Sequence, residues 1–141
     1  MLILSVNAGS SSLKISLYAL SNLSQDQPCQ PVLTSSISGI SSPPAKFTFK
    51  SSASCTSDEP VPSITDHASA FSHFLHFLKQ EANIDKDQIA HVCHRVVHGG
   101  DYSDPVVISE EEYHHIQMLS DLAPLYVLLD FTSETISLQL F

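Results

Sequence analysis

The first twenty residues carry two apolar patterns separated by a glycine and three serines. The apolar run Leu2 to Val6 is too short for a helix and predicts a buried strand. From Ser12 onward apolar and polar residues alternate, with Leu13 and Ile15 on the same face. This two-residue period predicts a second strand. The glycine-serine segment is therefore predicted to join strand to strand.

The next part of the chain is predicted to be mostly irregular, with two short strands. Residues 21–36 are rich in Ser, Gln and Pro, and a strand is predicted to resume over Val32 to Ile40. Residues 41–63 predict loop around one alternating strand, Lys46 to Lys50.

The second half of the chain predicts helix, strand and helix in turn. One helical stripe of apolar residues predicts a helix over residues 66–82 with Asp66 as its cap: Phe71, Phe74, Leu75 and Leu78. Residues 89–97, rich in β-branched side chains, predict a strand that ends at a glycine pair. Ser109 and Glu112 have the spacing of a capping box, which predicts the start of a second helix. The mixture predicts an α/β protein.

Length and composition limit the number of domains, the kind of partner and the cellular compartment that we expect. At 141 residues and 43% hydrophobic content, the chain is long enough for one domain with a core. Its net charge of -9, from 6 Lys+Arg against 15 Asp+Glu, argues against a nucleic-acid surface, so an anionic ligand needs a local site. Three cysteines without metal-ligand spacing, and no apolar run of signal or membrane length, predict a soluble cytoplasmic protein with no membrane partner.

The stretch NAGSSSLK, Asn7 to Lys14, suggests a phosphate-binding loop. The helix-opening phosphate loop is excluded, because Leu13 stands where that motif needs a glycine and a strand is predicted to follow. Gly9 would permit close backbone approach, the serines offer donors, and Lys14 offers a positive charge. Asn7 adds an oxygen that could hold a magnesium-bound water. A plain hairpin turn favours the same residues, and spacing alone leaves both interpretations open.

A second dense patch is HVCHRVVHGGDY, which contains three histidines and one arginine. Strand alternation places His94 and His98 on one face and His91 on the other, which disfavours a three-histidine metal site. Arg95 lies between apolar neighbours and needs an anionic partner. A structural carboxylate and a bound ligand both satisfy that need, and the sequence slightly favours the former.

These motifs resemble those of the acetate and butyrate kinase family. NAGSSSLK is similar to its N-x-G-S-S-S-x-K motif, HRVVHGG matches a second motif in the expected order, and SDLAPL resembles a third, ELAPLHN. The resemblance covers residues 1–125. It implies the N-terminal part of a ribonuclease-H-like domain of the actin, heat-shock and sugar-kinase superfamily, with a mixed sheet, an opening β-hairpin phosphate loop and flanking helices.

The resemblance also implies an activity, with a role for each matching residue. Members transfer a phosphoryl group reversibly from ATP to acetate, with Mg2+, and full-length members are expected to be homodimers. The implied roles are metal binding by Asn7, phosphate binding by Ser10, Ser12 and Lys14, and substrate binding by Arg95, Val97, His98 and Leu125, of which Val97 and Leu125 form the methyl pocket.

The chain departs from the family after Leu125. Tyr126 replaces a histidine of the motif, and residues 126–141 resemble nothing in the family. We therefore expect residues 1–125 to be an incomplete N-terminal kinase domain and 126–141 a non-homologous tail from a truncation or frameshift. The family's catalytic aspartate, histidine and second arginine would lie beyond that break. A non-catalytic phosphate- or nucleotide-binding module, a remnant with no ligand, and a propionate, butyrate or pyrophosphate kinase remain alternatives.

Overall fold

A computed structural model of the chain describes residues 1–20, 29–96, 106–107, 109, 111–112 and 136–140. The strands within these residues are β1 (Leu2–Gly9), β2 (Ser12–Ala19), β3 (Leu33–Ser38), β4 (Ala45–Ser51), β5 (Cys55–Val61), β6 (Ile89–Val96), β7 (Val106–Val107) and β8 (Ile136–Leu140). The helix α1 spans His67–Ala82, and a short 3-10 helix spans Lys86–Gln88.

The described strands form one mixed sheet in the order β5-β4-β3-β2-β1-β6-β8-β7. The chain builds the first half as an antiparallel meander from β1 to β5. It then crosses through α1 and returns as β6, which is parallel to β1. The predicted α/β class, the mixed sheet and the opening hairpin are confirmed.

The sheet buries one face and leaves the other polar near the opening hairpin. Leu4, Val6 and Leu13 are at most 1% exposed, whereas Asn7 and Lys14 are exposed. Because successive side chains of a strand point to opposite faces, this two-residue period separates an apolar core face from a polar face.

Helix α1 packs on the apolar face. The Asp66 carboxylate accepts a hydrogen bond from the Ser69 backbone N–H at 2.7 Å, so the predicted cap is confirmed. The helix ends at Asn83, which adopts the left-handed conformation with φ 53°. Phe71, Phe74 and Leu78 are buried, and burial of such a side chain contributes roughly 1.5–3 kcal/mol.

The prediction that residues 41–63 hold only one strand is wrong, because β5 also lies in this segment. Among the described strands it lies at the end of the sheet and pairs only with β4, and of its own residues only Val61 is buried. A bulge opposite β4, with Asp58 at φ 51°, interrupts its register. The segment therefore lacks the apolar alternation by which a strand is detected in sequence.

Two other predicted segments are described only in part. Glu112 accepts a hydrogen bond from the Ser109 backbone N–H at 3.0 Å, as in the predicted capping box, and also contacts the Ser109 hydroxyl. Most of the predicted second helix, like residues 21–28, lies outside the described residues. In the described part of the chain, no helix is long and apolar enough to cross a membrane.

Candidate phosphate-binding site

The β1–β2 turn brings the backbone of Gly9 close to Ser12. The two residues are paired across the hairpin, and a side-chain carbon at position 9 would lie 2.8 Å from the Ser12 hydroxyl. A larger residue would therefore have to displace that hydroxyl. Glycine is needed here for space, and this places Ser10 and Ser11 at the tip of a tight turn.

A histidine from α1 holds the turn from the core side. The Nε2 of His67 lies 2.7 Å from the carbonyl oxygen of Gly9. Because a carbonyl can only accept, Nε2 must carry the proton in this contact. The sequence predicts Asp66 as a helix cap, but no sequence pattern links the next residue to a glycine 58 positions earlier.

The β3–β4 turn holds the same loop from its other side. Ser41 donates its backbone N–H to the Ser11 hydroxyl at 3.2 Å and its own hydroxyl to the Ser10 carbonyl at 3.2 Å. Ile40 donates its backbone N–H to the Ser11 carbonyl at 3.1 Å. The hydroxyl and the carbonyl of Ser11 thus both act as acceptors in structural contacts.

The hydroxyls of Ser10 and Ser12 differ from that of Ser11. Within the part of the chain that the structure describes, neither makes a side-chain hydrogen bond. Both can therefore donate to a ligand, and the anchored turn holds them in place. An anion with several oxygen acceptors suits such a set of donors.

Asn7 and Lys14 are direct cross-strand neighbours on the polar face. Directly opposed residues have Cβ atoms about 4.5–5.5 Å apart, so an amide oxygen and an ammonium group stand side by side below the turn. In the described ranges, no three His, Cys, Asp or Glu side chains gather as a metal site. An exposed amide oxygen beside a phosphate site still fits Mg2+, which keeps several waters and takes few protein ligands.

Strand β6 ends at the same edge of the sheet as β1. Val6 is in register with His94, so the residues that follow, Asn7 and Arg95, lie level on adjacent parallel strands. Both side chains are exposed and, by alternation, face the same side of the sheet. The structure thus brings together Arg95, Asn7 and Lys14, which belong to two separate sequence motifs.

The burial on which the predicted ion pair of Arg95 depended is wrong. Its side chain is exposed, and no carboxylate among the described residues pairs with it. The prediction assumed that apolar neighbours in the sequence mean burial. Arg95 instead lies at the end of β6 on the polar face, where water solvates its charge.

His94 lies on the opposite face of β6 from Arg95 and is partly buried. Its Nδ1 donates to the backbone carbonyl of Arg95 at 2.7 Å, and its buried Nε2 has no described partner. Burial lowers the pKa of His94, and the hydrogen bond to the Arg95 carbonyl opposes this shift only in part. His91 is exposed on the other face, as strand alternation predicts.

The remaining predicted substrate residues, Val97, His98 and Leu125, lie outside the described residues. The apolar pocket for a methyl group therefore stays a prediction.

The overall fold is that of solved kinases that act on small carboxylic acids. A propionate kinase from Francisella tularensis superposes with a TM-score of 0.72 at 24% identity, over 99% of this chain and 36% of that one. The Porphyromonas gingivalis acetate kinase gives 0.72 at 21% identity, over 99% and 37%. The class is therefore the actin-like fold of these kinases.

The sequence comparison identifies the family within that class. The model of the Acetokinase family matches residues 2–136, and the chain belongs to this family. The probable acetate kinase of Emericella nidulans is 41% identical over 128 residues, and the acetate kinase of Bacillus subtilis 36% over 129. The matches cover 88% of this chain but 29% and 30% of those proteins. The resemblance predicted from the motifs is confirmed.

Proposed function

We propose that the chain forms the phosphate-binding part of an acetate kinase, a cytoplasmic enzyme that transfers a phosphoryl group reversibly from ATP to acetate. The carrying observation is the anchored β1–β2 turn, whose free hydroxyls, Ser10 and Ser12, lie at the same sheet edge as Lys14 and Arg95. Membership of the Acetokinase family supports acetate and ATP as the substrates.

Positioning and charge neutralisation explain why these residue types are needed. The donors of the turn would orient the phosphate oxygens, and Lys14 would offset their negative charge. Asn7 would hold a water of the magnesium ion. Mg2+, when bound, supplies further neutralisation of charge on the phosphates.

Arg95 would orient the acceptor substrate. Its planar guanidinium matches a carboxylate with two parallel hydrogen bonds. In the transfer, a carboxylate oxygen of acetate forms a bond to the γ-phosphorus, the bond from that phosphorus to the bridging oxygen breaks, and ADP leaves with the electron pair. No proton needs to be removed from the nucleophile. Val97 and Leu125 would form the methyl pocket beside His98.

The test is titration of the 141-residue chain with Mg-ATP by calorimetry. Lys14→Ala should weaken binding by about tenfold or more, because a charge-assisted hydrogen bond contributes roughly 1.5–3 kcal/mol. Lys86→Ala removes an equal charge from an exposed site on the 3-10 helix and should leave binding unchanged. Loss of ATP binding in both variants, or in neither, would contradict the proposed site.

A further inference from the structure

Two rows of polar residues cross the face of the sheet opposite α1. The strand register aligns one row, Asn7, Lys14, Ser36 and Thr48, across β1 to β4. The same pairings align the next row, Ser5, Ser16, Thr34 and Lys50. The proposed phosphate site accounts only for Asn7 and Lys14, so the rest of this surface has no role assigned.

The two rows form a shallow groove of about 240 Å3 over β2, β3 and β4. Six of its lining residues are the two lysines and four hydroxyl residues of these rows: Lys14, Ser16, Thr34, Ser36, Thr48 and Lys50. Among the described residues no Asp or Glu lines it, although the chain has 15 acidic residues against 6 Lys+Arg. The groove is therefore locally cationic on a chain of net charge -9.

The donors of the groove are not used by the fold. Among the described residues, neither Lys14 nor Lys50 pairs with a carboxylate, and the Ser16 hydroxyl makes no hydrogen bond. The Thr48 hydroxyl accepts a hydrogen bond from the Asp58 backbone N–H at 3.0 Å, which leaves its own proton free to donate. The groove thus presents cations and hydroxyl donors to solvent.

The spacing of the two lysines indicates the size of the ligand. Lys14 is on β2 and Lys50 on β4, and β3 lies between these strands. The backbones of the two strands are therefore about 9.5 Å apart. They also lie one row apart along the strands. Flexible four-carbon stems let two ammonium groups reach different phosphoryl groups of one molecule.

We propose that this groove continues the phosphate loop and binds a chain of phosphoryl groups, with Lys50 as the second cationic contact. The proposal rests on the proposed function, because Lys14 belongs to both the loop and the groove. A single orthophosphate would be held by the loop and Lys14, whereas a tripolyphosphate would extend from them to Lys50.

The experiment is calorimetric titration of the full 141-residue chain with tripolyphosphate and with orthophosphate at low ionic strength. Lys50→Gln should weaken tripolyphosphate binding about threefold to tenfold and leave orthophosphate binding unchanged. The control is Lys86→Gln, which removes the same charge from an exposed position on the 3-10 helix that does not line the groove. It should bind both anions like the wild type.

The possible outcomes distinguish failure of the groove proposal from failure of the proposed phosphate loop. If Lys14→Gln weakens both anions but Lys50→Gln weakens neither, the groove is wrong and the loop stands. Equal weakening by Lys50→Gln and Lys86→Gln would also overturn the groove, because it would show a general charge effect. If Lys14→Gln changes nothing, the proposed function fails as well. Circular dichroism checks that these exposed substitutions leave the fold intact.

Discussion

Long-range hydrogen bonds to the backbone carbonyls of Gly9 and Ser10 fix the conformation of the β1–β2 turn. A Gly-Ser turn is compatible with many hairpins. Here His67 holds the Gly9 carbonyl and Ser41 holds the Ser10 carbonyl, so the turn is fixed at two adjacent peptide groups. The hydroxyls of Ser10 and Ser12 are therefore attached to an ordered backbone, so less conformational entropy would be lost when a ligand binds.

His67 is therefore expected to control the order of the turn. His67→Leu removes the side-chain donor to the part-buried Gly9 carbonyl, at a cost of about 0.5–1.5 kcal/mol. Amide hydrogen exchange at Ser10 to Ser12 should become faster and Mg-ATP binding weaker. His67→Gln, which keeps a side-chain N–H donor, should restore much of both.

The contrast between the two variants tests whether the hydrogen bond or the bulk of His67 matters. Unchanged exchange in His67→Leu would show that the turn is ordered without this contact. Equal defects in both variants would assign the effect to packing at the start of α1.

At the scale of elements, α1 is held on the sheet by an aromatic cluster. Phe47 contacts His73 edge-on, with ring centroids 4.6 Å apart, and contacts Phe77 at 4.9 Å. Such pairs add about 0.5–1.5 kcal/mol beyond area burial. The cluster joins the meander to the helix, and through His67 the helix supports the β1–β2 turn.

The cluster also predicts a pH dependence of stability. Burial lowers the pKa of His73, and the charge of Glu59 opposes this shift only in part. Because the folded pKa lies below the unfolded value of about 6.5, the unfolded state takes up the proton first as the pH falls. His73 therefore does not reduce the free energy of unfolding above about pH 6.5, but it reduces it progressively as the pH falls below that value.

Urea unfolding at pH 7.5 and pH 5.5 measures this dependence. His73→Phe keeps an aromatic ring without a titrating group and should lose less stability between the two pH values than the wild type. His91→Phe, at an exposed position of β6, is the control and should behave like the wild type. The burial effect would be refuted if the two variants lost the same amount.

At the scale of the whole molecule, the chain spans about 29% of the length of the E. nidulans relative that it matches. The groups placed at the described sheet edge are a turn, two cations and an amide. Phosphoryl transfer also needs groups that face the transferred phosphoryl from its other side. We accordingly propose that the 141-residue chain binds phosphate ligands without catalysing transfer.

The corresponding measurement is acetyl phosphate formation by the purified 141-residue chain from Mg-ATP and acetate. No product above the enzyme-free control is expected, even at ATP concentrations that saturate binding. Sustained turnover that is lost in Arg95→Ala would show that this chain holds a complete catalytic site.

Much of the fold could be predicted from local patterns. The helix followed from a stripe of apolar residues, and Asp66 caps it as predicted. The paired strands of the opening hairpin followed from alternation, since each buries one face. β5 could not be predicted, because an exposed edge strand has no such pattern.

The candidate site likewise has features that a local sequence pattern predicts and features that depend on long-range contacts. The motif residues from Asn7 to Lys14 are local, and their types indicate phosphate chemistry. The contacts of His67 and Ser41 are long-range, and no local pattern could have predicted them. The exposure of Arg95 was misjudged because sequence neighbours do not reveal which face of a strand is covered.

By itself, the sequence determined the secondary structure with strong periodicity and membership of its kinase family, and it predicted a phosphate loop. These depend on residue types and on spacing over a few residues. Only the tertiary structure decided which donors remain free, that Arg95 lies level with Asn7, and that Lys14 and Lys50 share a groove. Strand register and helix docking set these relations, because they bring together residues that are distant along the chain.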